Sequence, residues 1–320
     1  SFFALFVFSL IVYRSLPVAE RGGQFSSTEL SKVWRFAAGI LATSVLVLLL
    51  TQVDKLILSR MLSLEAFGKY NLAATVANSL LILVGPITQA HYPKLIEMWS
   101  ACNYNEARKI FHGGAQLISV IVGAAACVIF YFGDNLIVTW TANEELGKSI
   151  GTILKVLTLG SMLNSFMHMP YILQLACGWS SFAAKINLVA VLVLVPAVLL
   201  FTPMYGAIGA AWVWAALNAG YVFIATHIMF KTILPTEEKK WFIDDIFKPF
   251  FAAFATISLF WLLMPGFASK IHETIFIVLA GLTAVLTATV FSPELKTHLK
   301  LILNTSSRFG GHTCSKAQQK

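Results

Sequence analysis

Long apolar stretches separated by short polar segments dominate the chain. A helix needs about 20 residues, at about 1.5 Å each, to cross a hydrocarbon layer of about 30 Å. By this length criterion the pattern predicts nine membrane spans, at residues 1–13 (truncated), 33–53, 67–90, 111–132, 149–175, 182–202, 205–230, 248–266 and 273–291. The expected fold class is therefore all-α, a polytopic membrane helix bundle of about nine transmembrane helices.

Composition supports this interpretation, since 58% of the residues are hydrophobic and only 12% are charged, whereas a soluble domain is about a quarter charged. The first residues, SFFALFVFSL, predict a fragment that begins inside a span and has no signal peptide. The four cysteines are far apart and show no CxxC spacing, so we expect free thiols, no metal and no cofactor.

The distribution of basic residues predicts the orientation of the spans. If the spans alternate direction, 17 of the 23 Lys and Arg residues fall on one face. Basic loops mark the cytoplasmic side, so this face and the C-terminus are expected to be cytoplasmic. The net charge of +8 is explained by such loops, and no nucleic-acid partner is expected.

The stretch LTQVDKLILSRML, residues 50–62, places Asp54 and Lys55 directly after an apolar run. By length the pair lies at the outer mouth of its span, which is compatible with a simple solvated helix end. Ser44, Thr51 and Lys55 share one helical face, which favours the alternative of a gate or coupling site formed by Asp54 and Lys55.

The span at 149–175 carries a stripe of polar side chains on one face: Thr158, Ser161, Asn164, Ser165 and His168, with Lys155 near its edge. Polar groups are costly against lipid, so the stripe faces other helices or water. It is either a set of interhelical hydrogen bonds or the wall of a substrate cavity. Pro170 interrupts this helix, and such a break is tolerated where it lines a cavity.

In the span at 205–230, Trp214, Asn218 and Tyr221 share a face. Aromatic rings beside an amide suit stacking on sugar rings with a hydrogen bond to a hydroxyl group, although helix packing would use the same pattern. The bases near or within spans are Arg35, Lys55, Lys155 and Lys185, and the fifteen acids are expected to lie almost wholly in loops. This balance favours an anionic substrate, unless Arg35 and Lys185 only extend to the cytoplasmic surface.

Enzymatic function is not supported by the sequence. No GxxxxGK[ST], GxSxG, HExxH or GxGxxG motif occurs in a suitable context. The longest predicted outer loop, FGDNLIVTWTANEELGKS, is too short for a catalytic domain.

Four strings together resemble the Wzx-type flippases of lipid-linked oligosaccharides, in the multidrug/oligosaccharidyl-lipid/polysaccharide exporter superfamily. They are WRFAAGILATSVLVLLLTQVDKLILSRMLSLEAFGKYNLA, GPITQAHYPKL, PYILQLACGWSS and YGAIGAAWVWAALNAGYV. The resemblance implies two six-helix bundles around a cavity. On that plan 1–13 ends the first bundle and 14–32 is a cytoplasmic inter-bundle loop. Residues 33–230 form the second bundle, 231–291 are a connector with two additional helices, and 292–320 are a cytoplasmic tail.

The resemblance implies that a polyprenyl-pyrophosphate-linked oligosaccharide is moved across the bacterial inner membrane by alternating access, for surface polysaccharide such as O-antigen of lipopolysaccharide. The implied partners are this lipid, membrane lipids and polysaccharide polymerase machinery. Cationic side chains are expected to bind the pyrophosphate, which carries over onto Lys55, Lys155 and Arg35. The expected cavity residues are Lys155, Asn164, His168, Trp214, Asn218 and Tyr221.

Two alternatives remain open on the sequence. An ion-coupled multidrug antiporter of the same superfamily should hold acids deep in its spans, and the sequence suggests only Asp54 at a mouth. A membrane glycosyltransferase or polymerase should carry a large outer loop with catalytic residues, and none is predicted.

Overall fold

The computed structural model describes residues 2–15, 26–267 and 269–297. All regular structure within these ranges is helical, which confirms the all-α class. Most of the predicted inter-bundle loop (16–25) and of the predicted tail (298–320, with Cys314) lies outside the described residues.

The helices are α1 (Phe2–Ser15), α2 (Ser27–Met61), α3 (Leu64–Ser100), α4 (Tyr104–Thr141), α5 (Glu144–Phe166), α6 (His168–Ala176), α7 (Ser180–Gly220), α8 (Thr226–Ile233), α9 (Glu238–Lys240), α10 (Lys248–Leu262) and α11 (Lys270–Val290). Two π-helical segments, Tyr221–Ala225 and Trp241–Phe247, join α7 to α8 and α9 to α10.

Seven helical runs among the described residues are long and apolar enough to cross a membrane: Val33–Met61, Leu64–Ser100, Tyr104–Thr141, Glu144–Ala176, Ser180–Ile233, Glu238–Leu262 and Lys270–Val290. A shorter apolar helix, Phe3–Ser15, precedes them. The chain is thus a multi-pass helix bundle, but the predicted number of about nine spans is not confirmed.

The run Ser180–Ile233 is not one straight helix. At about 1.5 Å per residue its 54 residues would reach far beyond one bilayer thickness. Gly206 breaks it with φ 63° and ψ −148°, a backbone region that is essentially restricted to glycine. A Cβ atom at Gly209 would lie 2.6 Å from the Phe201 carbonyl oxygen, so the chain folds back closely around this break. The two halves correspond to the spans predicted at 182–202 and 205–230.

Side-chain caps begin several helices after very short turns. Ser63, Asn103 and Asn143 precede α3, α4 and α5, and each accepts a hydrogen bond from a backbone N–H in the first turn of its helix. These caps satisfy N–H groups that have no partner within the helix. The segment around Asn143 was predicted as part of an 18-residue outer loop, but helix occupies all of it except a turn at residues 142–143.

The chain divides into two compact units, Ser1–Ala38 and Gly39–Lys320. The first unit contains α1 and the first turns of α2. In the second unit, α3, α4, α5 and α7 share one apolar core, and α10 and α11, here called the C-terminal helix pair, pack on α4 through a second core. Ala280, Ala284 and Ala288 of α11 are fully buried there. Small residues at four-residue spacing allow membrane helices to approach closely.

Candidate functional site

A cavity of about 610 Å³ lies inside the second unit, between α2, α3, α5, α6 and α7. Its size falls in the range of ordinary ligand sites. Its walls combine apolar side chains with aromatic rings, amides and hydroxyl groups. The polar and aromatic lining residues are Thr43, Ser44, Thr51, Asp54, Lys55, Tyr70, Asn78, Asn164, His168, Tyr171, Gln174, Phe182, Asn187, Trp214 and Tyr221.

Asp54 and Lys55 enter this cavity from α2. The Tyr70 hydroxyl of α3 donates a hydrogen bond of 2.9 Å to Asp54 Oδ2, and the Lys55 backbone N–H lies 2.7 Å from Asp54 Oδ1. No carboxylate of the described residues lies within 4 Å of the Lys55 ammonium. The carboxylate of Asp54 is therefore held by the Tyr70 hydroxyl and by the backbone of α2.

An amide network supports the part of the wall that α5 and α7 contribute. Asn164 of α5 donates to Asn218 Oδ1 at 2.7 Å, and Asn218 donates to the Trp214 carbonyl oxygen at 2.8 Å. Asn218 itself is fully buried behind the wall, so it orients Asn164 and the backbone at Trp214. The indole of Trp214 packs against Gly160, where a Cβ atom would lie 2.6 Å from the ring.

The break between α5 and α6 shapes another part of the wall. Pro170 has no N–H to bond the carbonyl of Phe166, four residues earlier, and α5 ends at Phe166. His168, Tyr171 and Gln174 follow the break and line the cavity. The sequence prediction that this break borders a cavity matches the structure.

Most of the side chains proposed from the sequence meet at this cavity. Asp54, Lys55, Asn164, His168, Trp214 and Tyr221 line it, and Asn218 lies directly behind Asn164. Ser44 and Thr51, expected on the same face as Lys55, also line it. Arg35 is exposed in the first unit, and its expected role as a cytoplasmic-side cation stays a prediction.

Lys155 differs from its predicted position. It is not among the residues that line the cavity, and its Nζ lies 5.9 Å from the centroid of the Phe130 ring of α4. Phe130 is 41% exposed, so the side chain of Lys155 lies on the exposed side of the contact between α4 and α5. The physical reason is that α4 packs along the face of α5 that carries Lys155, and sequence spacing within α5 could not reveal this neighbour.

The expectation that acids lie almost wholly in loops is wrong. Asp134, Asp245 and Glu273 lie inside helical segments, and the side chain of Asp245 is fully buried. Asp245 belongs to a segment that was predicted as a polar connector, but the helical run starts already at Glu238. Asp245 and Glu273 have polar neighbours on α4, which explains how the bundle accommodates them: His112, Gln116 and Asn135. Asp134 packs against Gly151 of α5, and its buried Oδ1 has no hydrogen-bond partner among the described residues.

Sequence reasoning missed several cavity residues. Tyr70 and Asn187 were not singled out, although Tyr70 binds Asp54 and Asn187 accepts a hydrogen bond of 2.6 Å from the Tyr221 hydroxyl. The spacing of Tyr70, Ala74, Asn78 and Leu81, all of which line the cavity, is that of one helix face. This periodicity was the signal that could have identified the wall formed by α3.

Comparisons with known proteins bear on this geometry. The profile of the family described as polysaccharide biosynthesis protein matches residues 1–99. The lipopolysaccharide biosynthesis protein WzxC of Escherichia coli (strain K12) is 23% identical over 249 residues, which cover 78% of this chain and 50% of WzxC. The chain thus spans about half the length of this curated relative.

A solved structure adds the fold. An outward-facing multidrug resistance MATE family transporter of the MOP superfamily matches with a TM-score of 0.52 and 15% identity, over 83% of this chain and 66% of that transporter. The chain resembles a Wzx-type flippase of the MOP superfamily. The resemblance stated from the sequence is therefore confirmed. The MOP superfamily is the exporter superfamily named there.

The matched proteins also bear on the class of function. They are described as a polysaccharide or lipopolysaccharide biosynthesis protein and as a multidrug resistance transporter, and these likenesses favour membrane transport over enzymatic catalysis. Its apolar helices and its likeness to WzxC support a multi-pass protein of the bacterial inner membrane.

Proposed function

We propose that this protein translocates a polyprenyl-pyrophosphate-linked oligosaccharide across the inner membrane by alternating access. The observation that carries the proposal is the cavity, whose lining combines aromatic rings and amides with Lys55, a lysine that has no carboxylate within 4 Å among the described residues. Such a site offers stacking surfaces and hydrogen bonds to sugars and a charge to a phosphate group. Its lining thus complements both parts of a lipid-linked sugar head group.

Lys55 is the proposed contact of the pyrophosphate. Its ammonium lines a cavity where apolar walls lower the effective dielectric constant, which strengthens attraction to an anion. Asp54 does not pair directly with this ammonium, since no carboxylate of the described residues lies within 4 Å of it, and the carboxylate instead accepts from Tyr70. In this proposal Asp54 and Tyr70 set the position of α2 against α3, so the pair Asp54 and Lys55 forms a gate that senses the bound head group.

The direction of transport is consistent with the membrane potential. A pyrophosphate head carries about two negative charges, and moving each outward across a potential that is negative inside is favourable by about 2.3 kcal/mol per 100 mV. The lipid tail can stay in the bilayer while the head group crosses the cavity. The helices around the cavity then rock between inward- and outward-open states. Polysaccharide polymerase machinery is the proposed consumer of the product.

Trp214 is expected to stack on a sugar ring. Replacing Trp214 with alanine should lower transport about two- to tenfold, since an aromatic contact of this kind is worth roughly 0.5–1.5 kcal/mol. Trp212, on the same helix but 55% exposed, supplies the matched control, and Trp212→Ala should leave transport unchanged. Export of labelled polysaccharide, divided by the membrane abundance of each variant, is the measurement. Equal loss of abundance and export in Trp214→Ala would show that the ring serves packing alone.

The proposed orientation places the C-terminus in the cytoplasm. In a background without the four native cysteines, a cysteine at exposed Glu144 should react with a membrane-impermeant maleimide in intact cells. A cysteine at exposed Thr236 should react only after permeabilisation. Positive-inside topology predicts this difference, and the reversed pattern would contradict the orientation.

An ion-coupled multidrug antiporter is the second candidate, favoured by the carboxylate of Asp54 in the cavity and by the MATE-like fold. A cationic drug would pair with Asp54 rather than with Lys55. Efflux of ethidium from a pump-deficient strain separates the two functions. The flippase proposal predicts no efflux above the empty vector, and efflux that Asp54→Asn removes would support the antiporter.

A further inference from the structure

A second polar cluster lies at the junction between α4 and the segment that leads into the C-terminal helix pair. His112 of α4 is fully buried. Its Nδ1 lies 2.5 Å from Asp245 Oδ2, and its Nε2 lies 3.2 Å from Glu237 Oε2. Asp245 is also fully buried, and none of these three residues lines the cavity. The cluster is therefore separate from the proposed transport site.

The two contacts of His112 require an additional proton. A neutral imidazole carries one N–H, and its other nitrogen is an acceptor, while an ionised carboxylate can only accept. With a carboxylate oxygen at each ring nitrogen, one contact would set two acceptors against each other. Both contacts become hydrogen bonds only when the cluster holds one more proton. Because the groups are coupled, this proton belongs to the cluster as a unit and not to one residue.

The surrounding charges do not replace that proton. Arg108 Nε lies 3.5 Å from Glu237 Oε1, and Lys240 Nζ lies 3.3 Å from Glu294 Oε1. Neither cation is within 4 Å of Asp245. Gln116 donates to Asp245 Oδ1 at 2.9 Å, which satisfies one oxygen without compensating the charge. A buried carboxylate needs a counter-charge or a proton, and the proton shared with His112 at 2.5 Å is in position to supply it.

The cluster also connects several parts of the chain. Glu237 lies in the short connector between α8 and α9, and Asp245 lies in the π-helical segment before α10. Gln116 Oε1 accepts from the backbone N–H of Glu294, beyond α11, at 2.9 Å. Both ends of the C-terminal helix pair are thus tied to one face of α4 by His112 and Gln116.

We propose that His112, Asp245 and Glu237 form a proton-binding site that fastens the C-terminal helix pair to α4, so that this attachment weakens as the proton is lost. On deprotonation one ring nitrogen faces a carboxylate oxygen without a hydrogen between them. Glu237 is the partner that moves away, because its side chain is 15% exposed and retains Arg108. The connector to α9 loosens first.

Isosteric variants test the proposal without removing the packing. Glu237→Gln offers an N–H to one ring nitrogen, so neutral His112 can donate to Asp245 and accept from residue 237. Asp245→Asn does the same at the other nitrogen. Either variant makes the additional proton unnecessary, and the junction should then hold equally well at all pH values near neutrality. Glu238→Gln is the matched control, because Glu238 pairs with the half-exposed His227 at 2.8 Å.

The measurement is the thermal unfolding midpoint of the purified protein in lipid nanodiscs from pH 6.5 to 8.5. Both contacts of His112 are hydrogen bonds only while the cluster holds its additional proton, so loss of that proton removes one of them. Stability must then fall as pH rises, by up to about tenfold in the folded-to-unfolded ratio per pH unit. The wild type and Glu238→Gln should show this fall, and Glu237→Gln and Asp245→Asn should lose it.

Two outcomes would overturn the proposal: a wild-type midpoint that does not change with pH, or a Glu237→Gln midpoint that follows the wild type throughout. If Glu237→Gln fails to insert, the comparison of Asp245→Asn with Glu238→Gln decides in its place. None of these readouts needs transport, so failure of the flippase proposal leaves this test intact.

Discussion

Replacing Lys55 with alanine should abolish most of the transport, while the same change at Lys155 should leave it nearly intact. A hydrogen bond to a charged group is worth roughly 1.5–3 kcal/mol, so loss of the ammonium in the cavity should lower transport about 10- to 150-fold. Lys55→Arg should retain part of the activity because the charge remains. Export of lipid-linked sugar, normalised to membrane abundance, is the measurement.

Lys155 is a matched control, since it is a second lysine in an apolar helix but lies outside the cavity beside Phe130. The resemblance to Wzx-type flippases implied a pyrophosphate contact for both Lys55 and Lys155. Equal effects of alanine at Lys55 and Lys155 would contradict the structural assignment, and a large effect at Lys155 alone would restore the prediction from the sequence.

The second large effect is expected on stability. Asp245→Ala should destabilise the protein by roughly 3–5 kcal/mol, because it leaves His112 and the Gln116 amide buried without their partner. The neighbouring acid provides the control: Asp244 is partly exposed and pairs with Lys248 one turn away at 2.6 Å. Asp244→Ala should cost less than about 1 kcal/mol. The measurement is the yield of folded protein and its denaturant midpoint in nanodiscs. Similar midpoints for the two variants would show that the cluster contributes little.

Hydropathy was sufficient to predict the fold class, because every backbone polar group inside a bilayer must be bonded within a helix. The same physics predicted that the polar face of α5 meets other helices or water, since polar side chains are costly against lipid. Asn164 of that face lines the cavity, whereas Ser161 bonds Asn78 of α3. The break between α5 and α6 could also be predicted, because Pro170 has no backbone N–H. The break at Gly206, by contrast, could not be predicted, because it is defined by a backbone conformation that only the structure shows.

Contacts between distant helices could not be read from the chain. His112 and Asp245 are 133 positions apart, and neither stretch of sequence indicates the other as its partner. One signal was present, because Arg108, His112 and Gln116 recur every four residues and therefore share one face of α4. What that face meets depends on how the C-terminal helix pair packs. The position of Lys155 in the structure differs from the predicted one for the same reason, because its neighbour Phe130 belongs to another helix.

The central claim is that the cavity carries the head group of a lipid-linked oligosaccharide. Expression of the complete gene in a bacterial strain that lacks its flippase, with surface polysaccharide as the readout, tests this claim most directly. We predict that the wild type restores polymer at the cell surface and that Lys55→Ala, at equal membrane abundance, does not. A wild-type protein that inserts normally but restores no polymer, in a strain that supplies its cognate lipid-linked sugar, would contradict the account.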